Sequence, residues 1–535
     1  ILSLEKMNSV RWNTMNEILK VNYPLIPLDF PDPDIIRVGD VYYMASTTMH
    51  FFPGCEILQS FDLVNWEHLT YVYERLDETT QQQLLNHENI YGQGMWAPSF
   101  RYHKGIFYLV FAANDTQKTY LFRTHSLQES WDFNYIEGFY HDCSLLFDDD
   151  RVFLVYGNGT IHLLELTPDL RRPKENGFQR ILLSDETNPY LNYEGSHMYK
   201  INGYYYLFLV HSLADRWFRT QACFMSDSLQ GEFKGGDVFQ DDHGYCHQGI
   251  AQGGIVEGLG DDWYAVLFQD YGAVGRLPVL VPVSWENHFP VFGKNGKIPD
   301  NFSIPKKSLG KKDHSLVGSD QFDRLYSSKS GFDSKWSFNH QPQLELITIE
   351  PEEQSYVLKT DRIASNILEA VNTLTQRMTY PACIGEVTVD VSDILDGDVV
   401  GISAFQGAYG FVGVTKDAGN YYVIMQAKTN DKTNSTQRWN NQDAMEYERV
   451  HVFQSKLKLR IEVDFENMRD VADFYYYEYE EKTWRKIGIT HSLFFGLDHF
   501  TGCRFGLFYF STKESGGQAR FSQFHYITGE KMNGA

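Results

Sequence analysis

Cysteine is scarce and unpatterned in this 535-residue chain: Cys55, Cys143, Cys223, Cys246, Cys383 and Cys503, with no CxxC spacing. That spacing speaks against a zinc ribbon and a dense disulfide framework, and reduced thiols in a cytoplasm are the simplest reading. No apolar run approaches the roughly 20 residues of a membrane span. The first ten residues, ILSLEKMNSV, lack a long apolar core and a small-residue cleavage site, so no signal peptide is expected and Met7 is a candidate natural start. Basic residues are in deficit, 47 Lys and Arg against 70 Asp and Glu, for a formal charge of −23. That balance argues against nucleic acid and anionic membrane as partners and favours a neutral or cationic ligand; a homo-oligomer is left open. No long helix is detectable in either half.

Aromatic residues are plentiful, at 15%. They suit strand-rich sheets, and their ring faces stack on the apolar faces of sugars. The stretch NYEGSHMYKINGYYYLFLVHS (Asn192–Ser212) shows how they are used. A carboxylate, Glu194, precedes a short strand, Asn202-Gly203 supplies a tight antiparallel turn, and an aromatic strand follows. The same unit occurs in DPDIIRVGDVYYMASTT, turning at Gly39-Asp40, and in MWAPSFRYHKGIFYLVFAAN, turning at Lys104-Gly105. It occurs again in DCSLLFDDDRVFLVYGN, turning at Asp148–Asp150, and in QGGIVEGLGDDWYAVLFQD, turning at Gly258–Asp262. Five hairpins about 45 to 65 residues apart have the spacing of four-stranded blades and predict an all-β, five-bladed propeller.

Aligned on Asp34, Ser99, Ser144, Ser196 and Gly253, the residues two positions upstream are Asp32, Ala97, Asp142, Glu194 and Ala251. Three carboxylates at one offset would converge on one end of the central funnel. Like charges do not gather for stability, so such a cluster marks a metal site or acid–base chemistry. Asp32 alone, beside a proline, reads as a turn residue; it is the repetition that changes the reading. Asp34 reads as a strand start, and Asp148, Asp149 and Asp150 as a turn. Trp96 reads equally as core or as a sugar platform, and Arg276 as a cation beside the cluster or an ordinary ion-pair partner. His247 reads as a ligand or a hydrogen-bonded structural histidine, and Phe52, in His50–Gly54, as part of a pocket wall.

The length predicts two domains. Residues 1–21 are an N-terminal extension, 22–295 the propeller, 296–319 a lysine-rich linker, and 320–535 a second all-β unit without the blade pattern, read as a two-sheet sandwich. Predicted strands there include Cys383–Val391, Val399–Phe405, Tyr421–Ala427, Leu457–Phe465, Val471–Tyr477, Phe505–Phe510 and Phe521–Tyr526.

The ordered set FPDPDIIRVGDVYYM, GMWAPSFRYHKGIFYLV, HDCSLLFDDDRVFLVYG, YEGSHMYKINGYYYLF and QGGIVE…AVGRLPVLVPVSW resembles glycoside hydrolase family 43 over about residues 22–295. Residues 320–530, with FDSKWSFNH, resemble the concanavalin-type sandwich that follows the propeller in that family's β-xylosidases. The resemblance implies inverting glycoside hydrolysis with Asp32 as general base, Glu194 as general acid and Asp142 as the carboxylate that tunes and orients the acid. It implies substrate-pocket positions at Trp96 and Arg276. Some members hold calcium at a His before QGG. Ala251 stands there in this chain, so no metal and no cofactor is expected unless His247 fills the gap. The implied substrate is a short xylo-oligosaccharide trimmed from its non-reducing end. An α-L-arabinofuranosidase, a phosphorylase needing a basic phosphate cluster, and a sugar-binding protein without turnover are the alternatives.

Overall fold

The computed structural model describes residues 18–185, 187–305, 315–429, 439 and 441–529. Met7, most of the predicted extension, and linker residues 306–314 lie outside the described residues. Helix among the described residues is confined to three-residue 3₁₀ turns, and every larger element is a strand.

Five four-stranded antiparallel sheets form the first unit. Their inner strands are Asp34–Val38, Met95–His103, Ser144–Asp148, Glu194–Ile201 and Ala251–Glu257, one from each predicted hairpin. The turns follow local chemistry. Asn202 and Gly203 both take positive φ, 51° and 86°, which a two-residue hairpin of the primed type requires.

Side chains and backbone link the inner strands into a closed ring. Phe100 N–H donates to Asp34 Oδ2 (2.7 Å), Leu145 N–H to Ser99 Oγ (3.0 Å) and Met198 N–H to Ser144 Oγ (2.9 Å). Ile255 N–H donates to the Tyr199 hydroxyl (3.2 Å), and Gly254 N–H closes the circle on Pro33 C=O (3.1 Å). Between successive blades lies an apolar cluster, such as Ile57, Phe100, Leu109 and Phe111 between blades one and two. Burying one such side chain contributes about 1.5–3 kcal/mol, against a net 0.5–1.5 kcal/mol or so for one hydrogen bond. The clusters therefore carry the stability, and the ring sets which residues face the funnel. The entry segment seals the last junction: Val21, Leu25, Leu28 and Phe30 pack between blades one and five.

The second unit is a sandwich of two antiparallel eight-stranded sheets. All seven strands named from the sequence occur, from Ala382–Asp390 to Gln518–Thr528, with no end shifted by more than three residues. Gly410–Asp417 and Met445–Val452 are additional. One strand of the sandwich belongs to the propeller sequence: Phe51–Phe52 pairs with Ser337–Asn339 at the end of one sheet.

Candidate active site

Counted from the hairpin turns, the fifth cross-strand pairs begin at Asp34, Ser99, Ser144, His197 and Gly253. Two residues upstream stand Asp32, Ala97, Asp142 and Gly195, and all four are left-handed, with φ of 51°, 36°, 45° and 64°. The equal offset read for Glu194 is therefore corrected. Glu194 lies one residue further out, level with Trp96 and His141, because His197 rather than Ser196 is the fifth paired residue of blade four; a bulge separates Glu194 from His197 as an equivalent one separates Trp96 from Ser99 in blade two. The left-handed corner turns the chain at the mouth of the funnel, and side chains on both sides of it reach the same cavity.

Asp32, His141, Asp142 and Glu194 line that cavity, whose volume is about 760 Å³. Asp32 Oδ2 accepts from Thr47 Oγ1 (2.7 Å), and its Oδ1 accepts from Arg276 Nη1 (3.0 Å). Arg276 is placed in turn by Asp29, which accepts from its N–H (2.8 Å), and by the Phe500 ring, 4.5 Å beneath the guanidinium. Asp142 Oδ2 accepts from Gly195 N–H (3.1 Å). Glu194 Oε2 accepts from Asn158 Nδ2 (2.6 Å). His141 Nε2 stands between them, 3.6 Å from Asp142 Oδ2 and 3.5 Å from Glu194 Oε2.

Burial, with Glu194 and Asp32 nearby, pushes the Asp142 carboxyl above the usual range in spite of His141 and Gly195. Asp142 raises His141 to about 9 against the cost of burial, with help from Glu194 and Asp32. One imidazolium thus offsets the mutual repulsion of three carboxylates.

His141, Asp142 and Glu194 each offer one ligand atom within 4.8 Å of the others, a metal-like spacing. The facing oxygens of Asp142 and Glu194 accept from Gly195 and Asn158, and His141 stands beside both. Asp34, fully buried, spends its carboxylate on Phe100 N–H, Arg101 (2.5 Å), the Tyr199 hydroxyl (3.4 Å) and His197 (3.2 Å). Burial would raise Asp34, but Arg101 and His197 outweigh it and hold it at about 2. The reading of Asp34 as a plain strand start missed this hub, since nothing in the local sequence pairs it with Arg101 or His197.

Trp96 lines the cavity and packs against Phe500 at 5.6 Å, so it is a wall residue rather than core. Arg276 lines it as well. Two expected wall residues do not. Phe52 is 1% exposed and packs into the apolar cluster between blades one and two, because its strand is paired with the sandwich. His247 points to solvent, its side chain 97% exposed and 3.7 Å from Asp242. It therefore fills no gap at Ala251; its neighbour Gln248 reaches the cavity instead. The sequence reading missed Trp217, Tyr190 and Arg219, and the sandwich residues Phe495, Leu497 and Phe500, all of which line the cavity. Exposed aromatics after a strand were the available signal for Trp217 and Tyr190. No sequence signal links residue 500 to residue 32.

A propeller funnel that brings two differently partnered carboxylates to one aromatic-walled cavity defines a glycosidase of the acid–base class. The chain belongs to glycosyl hydrolases family 43, whose model matches residues 21–290; the β-xylosidase C-terminal concanavalin A-like domain matches residues 320–527. It is similar to a β-xylosidase of Formosa agariphila, 24% identical over 98% of this chain and 93% of that protein. It is also similar to a non-reducing end α-L-arabinofuranosidase of Bacteroides ovatus, 25% identical over 53% of this chain and 55% of that protein. Among solved structures, a bifunctional GH43-CE protein of Bacteroides eggerthii matches with a TM-score of 0.87 and 37% identity, over 96% of this chain and 64% of that one.

Proposed function

We propose that this glycoside hydrolase is an exo-acting, inverting β-xylosidase that releases xylose from the non-reducing end of β-1,4-xylo-oligosaccharides. The observation that carries the reading is the split partnership of the two carboxylates on one cavity. Asp32 is oriented by Thr47 and Arg276, Glu194 by Asn158 and His141. Glu194 protonates the glycosidic oxygen, the C1–O bond breaks, and Asp32 takes a proton from the water that attacks C1 from the opposite face. Asp142 and His141 set the field around the acid. Trp96 and Phe500 offer ring faces to the sugar.

Arabinofuranosidase activity in the same pocket is the second reading, favoured by the name of the Bacteroides ovatus relative. A phosphorylase is disfavoured because each pocket guanidinium already faces a carboxylate: Arg276 faces Asp32 and Arg219 faces Asp270, both at 3.0 Å. No described helix is long and apolar enough to cross a membrane, and all six cysteines are free, which favours a reducing compartment.

The test is a proton NMR time course of xylobiose with the purified protein. Early α-xylose is expected. Early β-xylose would mean retention and remove the water-activating role of Asp32. No cleavage of xylobiose, with cleavage of arabinofuranosides, would favour the second reading.

A further inference from the structure

The hairpin corner Gly157-Asn158-Gly159 is built to a tighter specification than a surface turn needs. Both glycines are left-handed, with φ of 137° and 75°. A Cβ on Gly157 would lie 2.1 Å from Thr160 C=O, so no other residue fits the corner. Two backbone bonds tie it to the catalytic strands. Gly157 N–H donates to His141 C=O (3.1 Å) and Gly159 N–H to Tyr193 C=O (2.8 Å). The corner is thereby locked to the residues immediately before Asp142 and Glu194. Asn158, between the two locks, is solvent-exposed, yet its Nδ2 donates to Glu194 Oε2 at 2.6 Å. Oε2 is also the oxygen that faces His141. Among the described residues, Oε1 accepts no hydrogen bond.

We propose that Asn158 is a positioning residue that selects the oxygen from which Glu194 gives up its proton. This rests on the reading of Glu194 as the general acid. An amide N–H facing Oε2 leaves that oxygen as an acceptor and places the acidic proton on Oε1. Oε1–H then points into the cavity. As the C1–O bond breaks, the electron pair goes to the leaving oxygen and Oε1 delivers its proton there, leaving a carboxylate whose charge is met by Asn158 and His141. The water that attacks C1 loses its proton to Asp32, so protons and charge balance over the turnover. An exposed side-chain hydrogen bond is ordinarily of little consequence. This one differs because the backbone that carries it is fixed at both ends.

The test compares Asn158→Ala and the isosteric Asn158→Asp with the parent enzyme on two β-xylosides. One is xylobiose, whose leaving group needs a proton; the other is the 2,4-dinitrophenyl xyloside, whose leaving group does not. A hydrogen bond to a charged group corresponds to about 10- to 100-fold in rate. On xylobiose kcat is expected to fall by about that factor with KM changed less than about 3-fold. On the dinitrophenyl substrate kcat/KM is expected to stay within about 3-fold, and Asn158→Asp to lose at least as much as Asn158→Ala. Equal losses on both substrates, or none on either, would overturn the proposal. Glu194→Gln, measured alongside, separates the two claims. If it too loses equally on both substrates, the acid assignment fails; if it spares the activated substrate while the Asn158 variants do not, only the positioning role fails. Circular dichroism and thermal melts of both Asn158 variants distinguish a local change from misfolding.

Discussion

His141 is the residue on which the electrostatics of the pocket turn. It is mostly buried, with two carboxylates within 3.6 Å, and Asp142 raises it to about 9. A histidine raised in the folded state stabilises the fold fully below its ordinary value, near 6.5. That contribution is lost as the pH climbs through about 9. His141→Gln is therefore expected to cost on the order of 1–3 kcal/mol more at pH 6.5 than at pH 9.5, by the worth of a pKa unit. Urea denaturation across that range reads the difference. A cost that stays constant from pH 6.5 to 9.5 would mean that His141 is neutral, leaving the carboxylate cluster without its counter-charge. His141 is not legible in the sequence, because a lone histidine beside a carboxylate carries no signal by itself. Asp32, Asp142 and Glu194 were legible since each sits at the head of a hairpin whose chemistry is local. Of their partners, Thr47 closes the same hairpin as Asp32, whereas Asn158 and Arg276 come from other blades.

The blade is held in place by side chains on its inner strand. Ser144 shows how: its Oγ accepts from Met198 N–H of the next blade and from Arg101 Nη2 (2.8 Å) of the previous one, at zero exposure. Ser144→Ala leaves both donors buried without this acceptor. A buried donor left unmade costs about 1–3 kcal/mol, so a loss of that order is expected in chemical denaturation. A neutral result would mean that neighbouring groups replace Ser144, and the ring would then be incidental. Hairpin turns were read well at this scale, since glycine and asparagine with positive φ are a local demand of the backbone. The bulge ahead of His197 was not, because a bulge arises from pairing between strands and its extra residue leaves no mark on either strand alone. The edge strand Met445–Val452, MEYERVHV, was missed for a related reason: its charged, largely exposed residues do not alternate as a half-buried strand does.

At the scale of the whole molecule, the two units share a sheet and a cavity wall. Phe51–Phe52 extends the sandwich, and Arg377 of the sandwich donates to Glu56 of blade one at 2.7 Å, both buried. Asp29 accepts from Gly502 N–H (2.8 Å) as well as from Arg276 N–H, which ties the arginine that faces Asp32 to the loop that carries Phe500. With buried charge and shared strands at the junction, the described units are expected to unfold together. Differential scanning calorimetry should show one transition in the parent, and Arg377→Met, which leaves buried Glu56 with His68 alone (2.9 Å), should lower its midpoint or split it. Two well-separated transitions in the parent would show that the units are energetically independent and that the shared wall is only contact.

The amino-acid sequence by itself determined most of the strands, the hairpin turns, the five-fold repeat, the sandwich and the placing of three carboxylates at the heads of hairpins, because periodicity, turn chemistry and hairpin spacing act within a few residues of each other. Tertiary structure alone decided which oxygen each donor faces, that Phe52 is core and His247 is solvent, and that a loop near residue 500 walls a pocket begun at residue 32. Those outcomes depend on contacts between segments hundreds of residues apart, where burial, charge and packing are set by the closed ring and the docked sandwich rather than by any neighbour along the chain.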